Sequence, residues 1–379
     1  MLTLPLLGAI QGFLVGIFLF FKRSNYQANR FLALSIIISS IQFLLLIFWE
    51  DLSHNNFQLN LRFCAWFLAF PIPVLYFFYV KLISSESPKF HTKDLLHFLP
   101  TLMGILAVSP IWTMSQEEKI RFMAEQSQTF VIQSKLLEMA HGLVIIVYAI
   151  LCLFILKDFK NRIRNEFSNL DKKQLSWLWI LTAMVGLVGL AGVIGSSIGL
   201  VQACQNQEIN SLDRSSHFVT LAIVTIVFYW SSFQAITQPE IFTYTYPHPK
   251  KEKYSHSKGV DGWQTLLISQ LTTSMESDRL FLRSDLNLTE LAEILGVSRQ
   301  ELSQVINEHF EKNFFDFINA YRLEEAKMLL LDPQYSKLTI RGISQEAGFK
   351  SKSTFYSLFK QHTGMTPTNY QKEKKGEEG

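Results

Sequence analysis

The chain has 379 residues, 48% of them hydrophobic, with 35 Lys and Arg against 32 Asp and Glu and a formal net charge of +3. That length accommodates two domains or more, and so small a net charge singles out no partner. Its 3 cysteines, Cys64, Cys152 and Cys204, form no CxxC pair, no Cys/His metal spacing and no disulfide framework, so structural zinc is not expected.

The averages hide a split. Up to about Ala235 the sequence is a series of apolar runs rich in Phe, Leu and Ile, whereas beyond Pro247 it is polar, charged and periodic. The first run, 4–21, is long enough to cross a bilayer. No short charged segment with a small-residue cleavage site precedes it, so it reads as a retained span and not a cleaved signal. Six further candidates follow at 31–49, 61–80, 95–112, 139–156, 177–201 and 217–236. The fourth is the weakest, because Pro100 and Pro110 interrupt it.

Basic residues are retained on the cytoplasmic side of a membrane. Loops one, three and five carry Lys22, Arg23 and Arg30, then Lys81, Lys89 and Lys93, then Lys157, Lys160, Arg162, Arg164, Lys172 and Lys173. The even loops carry fewer bases and gather Glu50, Asp51, Glu117, Glu118, Glu125, Glu208 and Asp213. This alternation predicts an outside N-terminus and, after seven spans, a cytoplasmic C-terminal part.

Within the spans, Gly8, Gly12 and Gly16 recur every fourth residue, and Gly186, Gly189, Gly192, Gly195 and Gly199 form a second small-residue stripe. Such stripes let helix backbones approach, either within one bundle or across a dimer seam. Pro71 and Pro73 are expected to kink the third span near Tyr76 and Tyr79, as bundle irregularity or as the lining of a ligand pocket. His141 is expected to make a hydrogen bond at the membrane face. Cys64 and Cys204 both fall near the outer side, and their pairing is left open. No Asp, Glu, Lys or Arg lies deep in a span, span seven has no Lys for a Schiff base, and there is no HExxH pair. No catalytic residue, cofactor or metal site is therefore assigned.

Residues 237–262 lose periodicity and collect Pro239, Pro247, Pro249, Gly259 and Gly262 beside Lys250, Lys251, Glu252 and Lys253. This is a tether, whose lysines suit either anionic headgroups or stop-transfer flanking. From 263 on, the pattern is that of two helix-turn-helix units: an apolar helix, a turn with Gly, and a second helix presenting polar side chains. In the first, Asn287 caps with Glu290 three residues on, and Leu288, Leu291, Ala292 and Leu295 share a face. Gly296 turns, and Ser298 with Glu301 makes a capping box for a helix to about Asn307. Its candidate DNA-reading residues are Ser298, Arg299, Gln300, Ser303 and Gln304, because Arg and Gln side chains match guanine and adenine edges.

A long helix, 313–331, follows, with Arg322 near its middle, and Asp332 and Pro333 end it. The second unit begins at Thr339, turns at Gly348 and starts its reading helix at Ser351. Candidate contacts there are Lys350, Ser351, Lys352, Ser353, Thr354 and Tyr356, with Lys360 and Thr366 toward phosphates.

These residues resemble the C-terminal domain of the AraC/XylS family of bacterial regulators. The resemblance rests on Gly348-Phe349, Ser353, Phe355, Phe359-Lys360, Gly364, Thr366-Pro367 and Tyr370, and covers 263–372 with nothing upstream. Ser357 stands where an Arg is usual, Ser344 replaces Ala, and Gln371 replaces an Arg, which touches individual contacts and not the fold. The whole looks like the branch in which a multi-pass membrane domain replaces the soluble ligand-binding barrel.

The resulting expectation is an all-α protein: a seven-helix transmembrane bundle (1–236), a linker (237–262), a soluble double helix-turn-helix domain (263–372) and a charged tail (373–379). The resemblance implies a non-enzymatic, one-component transcription regulator in the bacterial cytoplasmic membrane. Its implied partners are double-stranded promoter DNA, the lipid bilayer, an unidentified small-molecule or membrane signal, a second copy of the chain, and RNA polymerase if it activates. Two other readings stay open: a transporter or enzyme that uses the module for tethering or docking, and spans that only anchor.

Overall fold

The computed structural model describes residues 3–23, 25–47, 64, 67–85, 89–115, 117–119, 121, 128–170, 175–205, 230, 233–234 and 262–377, and these are helical with no strand among them. The chain divides into two compact units. One comprises Met1–Asp158 and Leu175–Tyr244, the other Phe159–Gln174 and Thr245–Gly379.

In the first unit, α1 (Thr3–Phe21) packs on α2 (Tyr26–Ile47), and α2 on α3 (Ile72–Ile83). A Cβ at Gly16 would stand 2.5 Å from Ile37 Cγ1 and 3.2 Å from the Ala33 carbonyl oxygen, so only glycine allows this approach. Pro71 caps α3 and Pro73 lies in its first turn. The prolines therefore begin a helix, where a missing N–H costs nothing, and a turn at Phe70 and Pro71 replaces the expected kink. Tyr76 and Tyr79 are buried, and since the Thr182 hydroxyl donates to the Leu178 carbonyl at 2.7 Å, Tyr76 donates to Thr182 at 2.8 Å. That leaves these two rings as bundle packing.

A 3-10 turn (Thr92–Phe98), α4 (Leu99–Val108) and α5 (Pro110–Thr113) come next, then α6 (Gln128–Glu166) and α7 (Ser176–Cys204). Gly142 and Gly189 meet: a Cβ on either would be 3.0 Å from the other's carbonyl oxygen. The second glycine stripe thus splits, with Gly189 and Gly199 packed inside the unit while Gly192 and Gly195 meet nothing within 4 Å. His141 Nε2 lies 3.2 Å from the Ala69 carbonyl oxygen, the hydrogen bond expected of it. Cys64, Cys152 and Cys204 are all free, so the Cys64–Cys204 pairing left open is not formed.

Among the described residues, three stretches are long and apolar enough to cross a membrane by length and composition: Thr92–Thr113, Val131–Glu166 and Ser176–Cys204. They overlap expected spans four, five and six, whereas Leu6–Phe21 and Phe67–Ile83 are apolar but shorter. Seven spans are not shown, and 217–236 lies outside the described residues except at 230, 233 and 234. Leu187, Ile194, Ile198 and Val201 on α7 are each more than half exposed. In water that ridge would be costly, while hydrocarbon solvates it.

The second unit contains the last turns of α6 from Phe159, residues 167–174, and the C-terminal helices. Among these are α8 (Trp263–Glu276), α9 (Leu288–Leu295), α10 (Arg299–His309), α11 (Phe314–Leu331), α12 (Ile340–Glu346), α13 (Lys352–Thr363) and α14 (Pro367–Glu377), with short 3-10 turns at Leu280–Leu282 and Pro333–Tyr335. Two cores form on α11. Phe314, Phe317 and Ile318 join Leu271, Met275, Phe281, Leu291, Leu302 and Ile306, while Leu323, Ala326, Leu329 and Leu330 join Ile343, Ala347, Phe349, Phe355 and Phe359. One helix thereby supplies a wall to each core.

Candidate nucleic-acid interface

Both reading helices begin where their sequences place them. The Ser298 hydroxyl accepts from the Glu301 N–H at 3.2 Å and the Glu301 carboxylate accepts from the Ser298 N–H at 2.9 Å, a complete capping box. Asn287 caps α9 by accepting from the Glu290 N–H at 2.9 Å, but the Glu290 carboxylate pairs with Arg283 at 3.0 Å and does not close a box. Ser351 caps α13 more loosely, accepting from the Thr354 N–H at 3.4 Å, with its oxygen 2.8 Å from that of Ser353. Gly296 and Gly348 adopt left-handed φ of +69° and +85°, which makes each turn.

On α10, Leu302, Val305 and Ile306 are buried while Arg299, Gln300 and Gln304 are exposed. Ser298 and Ser303 are half-buried. The Gln304 amide donates to both Glu308 carboxylate oxygens at 3.0 and 3.1 Å, and Asn307 donates to the Ser303 carbonyl and hydroxyl oxygens. On α13, Phe355 and Phe359 face the core, leaving Lys352, Ser353 and Lys360 exposed and Ser351, Thr354 and Tyr356 partly covered. Lys352 Nζ sits 5.3 Å from the Tyr356 ring centroid, a cation–π contact. Thr366 is half-buried and accepts from the Asn369 N–H at 3.4 Å. Lys350 precedes the cap and is held by Asp285, to whose two oxygens it donates at 2.9 and 2.7 Å.

Arg322 plays another part. It is 1% exposed, and its guanidinium donates to the carbonyl oxygens of Phe281 (2.7 Å), Arg283 (2.7 Å) and Ser168 (3.2 Å) and to the oxygens of Asn319 (3.3 Å) and Ser168 Oγ (3.2 Å). Burial lowers its pKa to about 10, opposed by the nearby Asp285 charge, so it stays cationic at neutral pH. It ties the lead-in of the first unit to the linker helix. Of the departures from the family pattern, Ser344 is buried with its hydroxyl donating to the Arg341 carbonyl at 2.7 Å, and Gln371 donates to the Leu330 carbonyl at 2.9 Å, fastening α14 to α11.

The sequence did not reveal that residues 164–169 join this unit. Arg164 donates to both oxygens of Asp316 at 2.7 and 2.8 Å and lies 5.1 Å from the Phe315 ring. Phe167 bridges Asn287, and the Ser168 N–H donates to the Leu286 carbonyl at 3.2 Å. Asn319, 2% exposed, donates to the Ser168 carbonyl at 3.1 Å. The Glu166 carboxylate accepts from Thr289 at 2.8 Å and pairs with Arg299 at 3.1 Å. The only hint in sequence was the acid Glu166 directly after a basic run, Lys157 to Arg164, that reads as a membrane flank.

Residues 291–373 match the family model described as a helix-turn-helix domain. An uncharacterized HTH-type transcriptional regulator of Staphylococcus aureus (strain COL) is 38% identical over 91 residues, covering 24% of this chain and 12% of that protein, and one from strain MSSA476 matches to the same extent. The xylose operon regulatory protein of Escherichia coli (strain K12) is 32% identical over 85 residues, covering 22% of this chain and 21% of that protein. The chain thus spans about an eighth of the Staphylococcus relatives and about a fifth of the Escherichia coli one. No solved structure matches the chain. The C-terminal part of this chain is therefore a helix-turn-helix domain of the AraC type.

Proposed function

We propose that this chain is a membrane-held, sequence-specific DNA-binding transcription regulator that couples a membrane or extracytoplasmic signal to transcription. The observation that carries the reading is the pair of capped helices, α10 and α13, set by one linker helix and each presenting polar and basic side chains at its start. The proposed base-reading residues are Ser298, Arg299, Gln300, Ser303 and Gln304 in the first unit and Lys350, Ser351, Lys352, Ser353, Thr354 and Tyr356 in the second. Lys360 and Thr366 are proposed to meet phosphates. Residues at the start of a recognition helix reach base edges, and two linked units suit successive major grooves of an asymmetric site.

Membrane attachment is supported by the three long apolar helices and the exposed apolar ridge of α7, and the alternation of basic loops supports a cytoplasmic C-terminal domain. The names of the relatives, transcriptional regulators and a xylose operon regulatory protein, agree with regulation and not enzymology. Genome-wide mapping of sites bound by the full-length protein in its host, with the Arg299→Ala/Lys352→Ala variant beside it, tests the proposal. Discrete promoter sites lost in the variant are expected. Occupancy without sequence preference, or unchanged by the variant, would overturn it.

A further inference from the structure

Arg299 is the first residue of α10, on the end of the recognition helix that approaches DNA. Its side chain is 55% exposed, yet it is not met by solvent alone: Glu166, whose own side chain is only 14% exposed, stands 3.1 Å away as its ion-pair partner and also takes the Thr289 hydroxyl. Thr289 lies in the first turn of α9, the helix of such units that crosses the DNA backbone. A single carboxylate therefore sits on both the proposed base reader Arg299 and Thr289, on the helix that crosses the DNA backbone.

The acid is not a wandering surface side chain. Two residues before it, Arg164 forms a two-pronged pair with Asp316. Two residues after it, Ser168 is 1% exposed and joined to Leu286, Asn319 and Arg322. These contacts all lie within the second compact unit, and they fix the residues flanking Glu166 on either side. At the second reading helix, Lys350 is held by Asp285 of the module itself.

We infer that residues 164–169 are an autoinhibitory strap, with Glu166 setting its negative charge on Arg299 and Thr289 where DNA would approach, so that the first unit engages DNA only when Glu166 lets go. Glu166 ends α6, whose sequence upstream of Phe159 belongs to the apolar unit. A signal that shifts the end of that helix would thus withdraw the acid. The inference rests on the DNA-binding reading above and adds its control.

The test uses the full-length chain in nanodiscs of zwitterionic lipid and two labelled duplexes, one carrying the chain's own upstream region and one of scrambled sequence. Wild type, Glu166→Gln, Arg299→Ala and the double variant are titrated over a range of salt. Glu166→Gln keeps an acceptor for Thr289 but removes the charge. It is expected to tighten binding to both duplexes by about fivefold, the worth of one partly covered ion pair. It is also expected to steepen the salt dependence by about one released counterion. Both gains should vanish in the Arg299→Ala background. Unchanged or weaker binding by Glu166→Gln, or a gain that persists without Arg299, overturns the strap. Because the strap acts on charge, the scrambled duplex reports on it even if the upstream region proves to be no specific site. A failure of sequence preference thus remains separate from a failure of the strap, and no binding by any variant overturns both.

Discussion

Gly296 and Gly348 turn the chain at corresponding points of the two helix-turn-helix units, both at positive φ. A methyl group on Gly296 would meet nothing within 4 Å, whereas one on Gly348 would stand 2.8 Å from the Phe281 carbonyl oxygen and 2.9 Å from Leu282 Cα. The first turn is a local device. The second is also a joint, seated on the backbone that leads into the first unit. The same asymmetry runs through the charges: the first reading helix meets an acid from outside the module, Glu166, while the second is served by Asp285 and by the ring of Tyr356. Two units built on one pattern have therefore been given different duties, one open to control and one holding the module together.

The largest test of that division is Arg322→Leu. Losing the guanidinium takes its donor from the Phe281 carbonyl oxygen and leaves the Arg283 and Ser168 carbonyls only the Leu286 N–H and the Asn319 amide, and breaking a buried charged network costs about 3–5 kcal/mol. Hydrogen exchange should show protection falling at 280–330 before it falls in the second core, 340–360. Equal loss in both cores would mean that the units are a single cooperative body.

The glycine pair sharpens the comparison further. Gly348→Ala combines left-handed strain with overpacking against backbone, for about 2–4 kcal/mol. Gly296→Ala carries only the strain, about 1 kcal/mol. Thermal melting of the two variants side by side reads the difference, and equal shifts would show that the second turn is no joint.

The smallest effect is confined to acid. Partial burial pushes the Glu324 carboxyl up, but Lys327 and His362, hydrogen-bonded to it at 2.8 and 3.2 Å, outweigh this and hold it below its ordinary 4.5. A carboxyl lowered in the folded state stabilises above its unfolded value, and that contribution disappears as pH falls through the folded one. Glu324→Gln should leave the protein slightly less stable at neutral pH and flatten the acid side of its pH–stability profile, as read by melting between neutral and acid buffers. An unaltered profile would remove His362 and Glu324 from the account of how α13 rests on α11.

Much of the C-terminal domain was legible in its sequence, because capping, turn and core each depend on neighbouring residues: Ser298 with Glu301, Gly348 before Phe349, Phe355 with Phe359. What could not be read was long-range. Nothing local to Ser168 announces that Arg322, 154 residues on, will hold it, and Glu166 is hidden among bases that explain themselves as a membrane flank. In the apolar unit, Pro71 and Pro73 signalled an interruption correctly but not its form, since a proline in the first turn of a helix and one in its middle have the same composition around them. Gln304 shows the limit at the site itself. Its residue type suits adenine, while its amide is already turned onto Glu308.

The linker helix has a consequence for how such a protein can change. Because α11 walls both cores, one residue added to it would rotate the second reading head by about 100° and carry it about 1.5 Å along the axis, out of phase with any groove the first head had found. Insertions there would not retune the binding site; they would abolish it. New sites are open to this architecture through exchange of exposed side chains on α10 and α13, with the length of α11 kept as a fixed gauge.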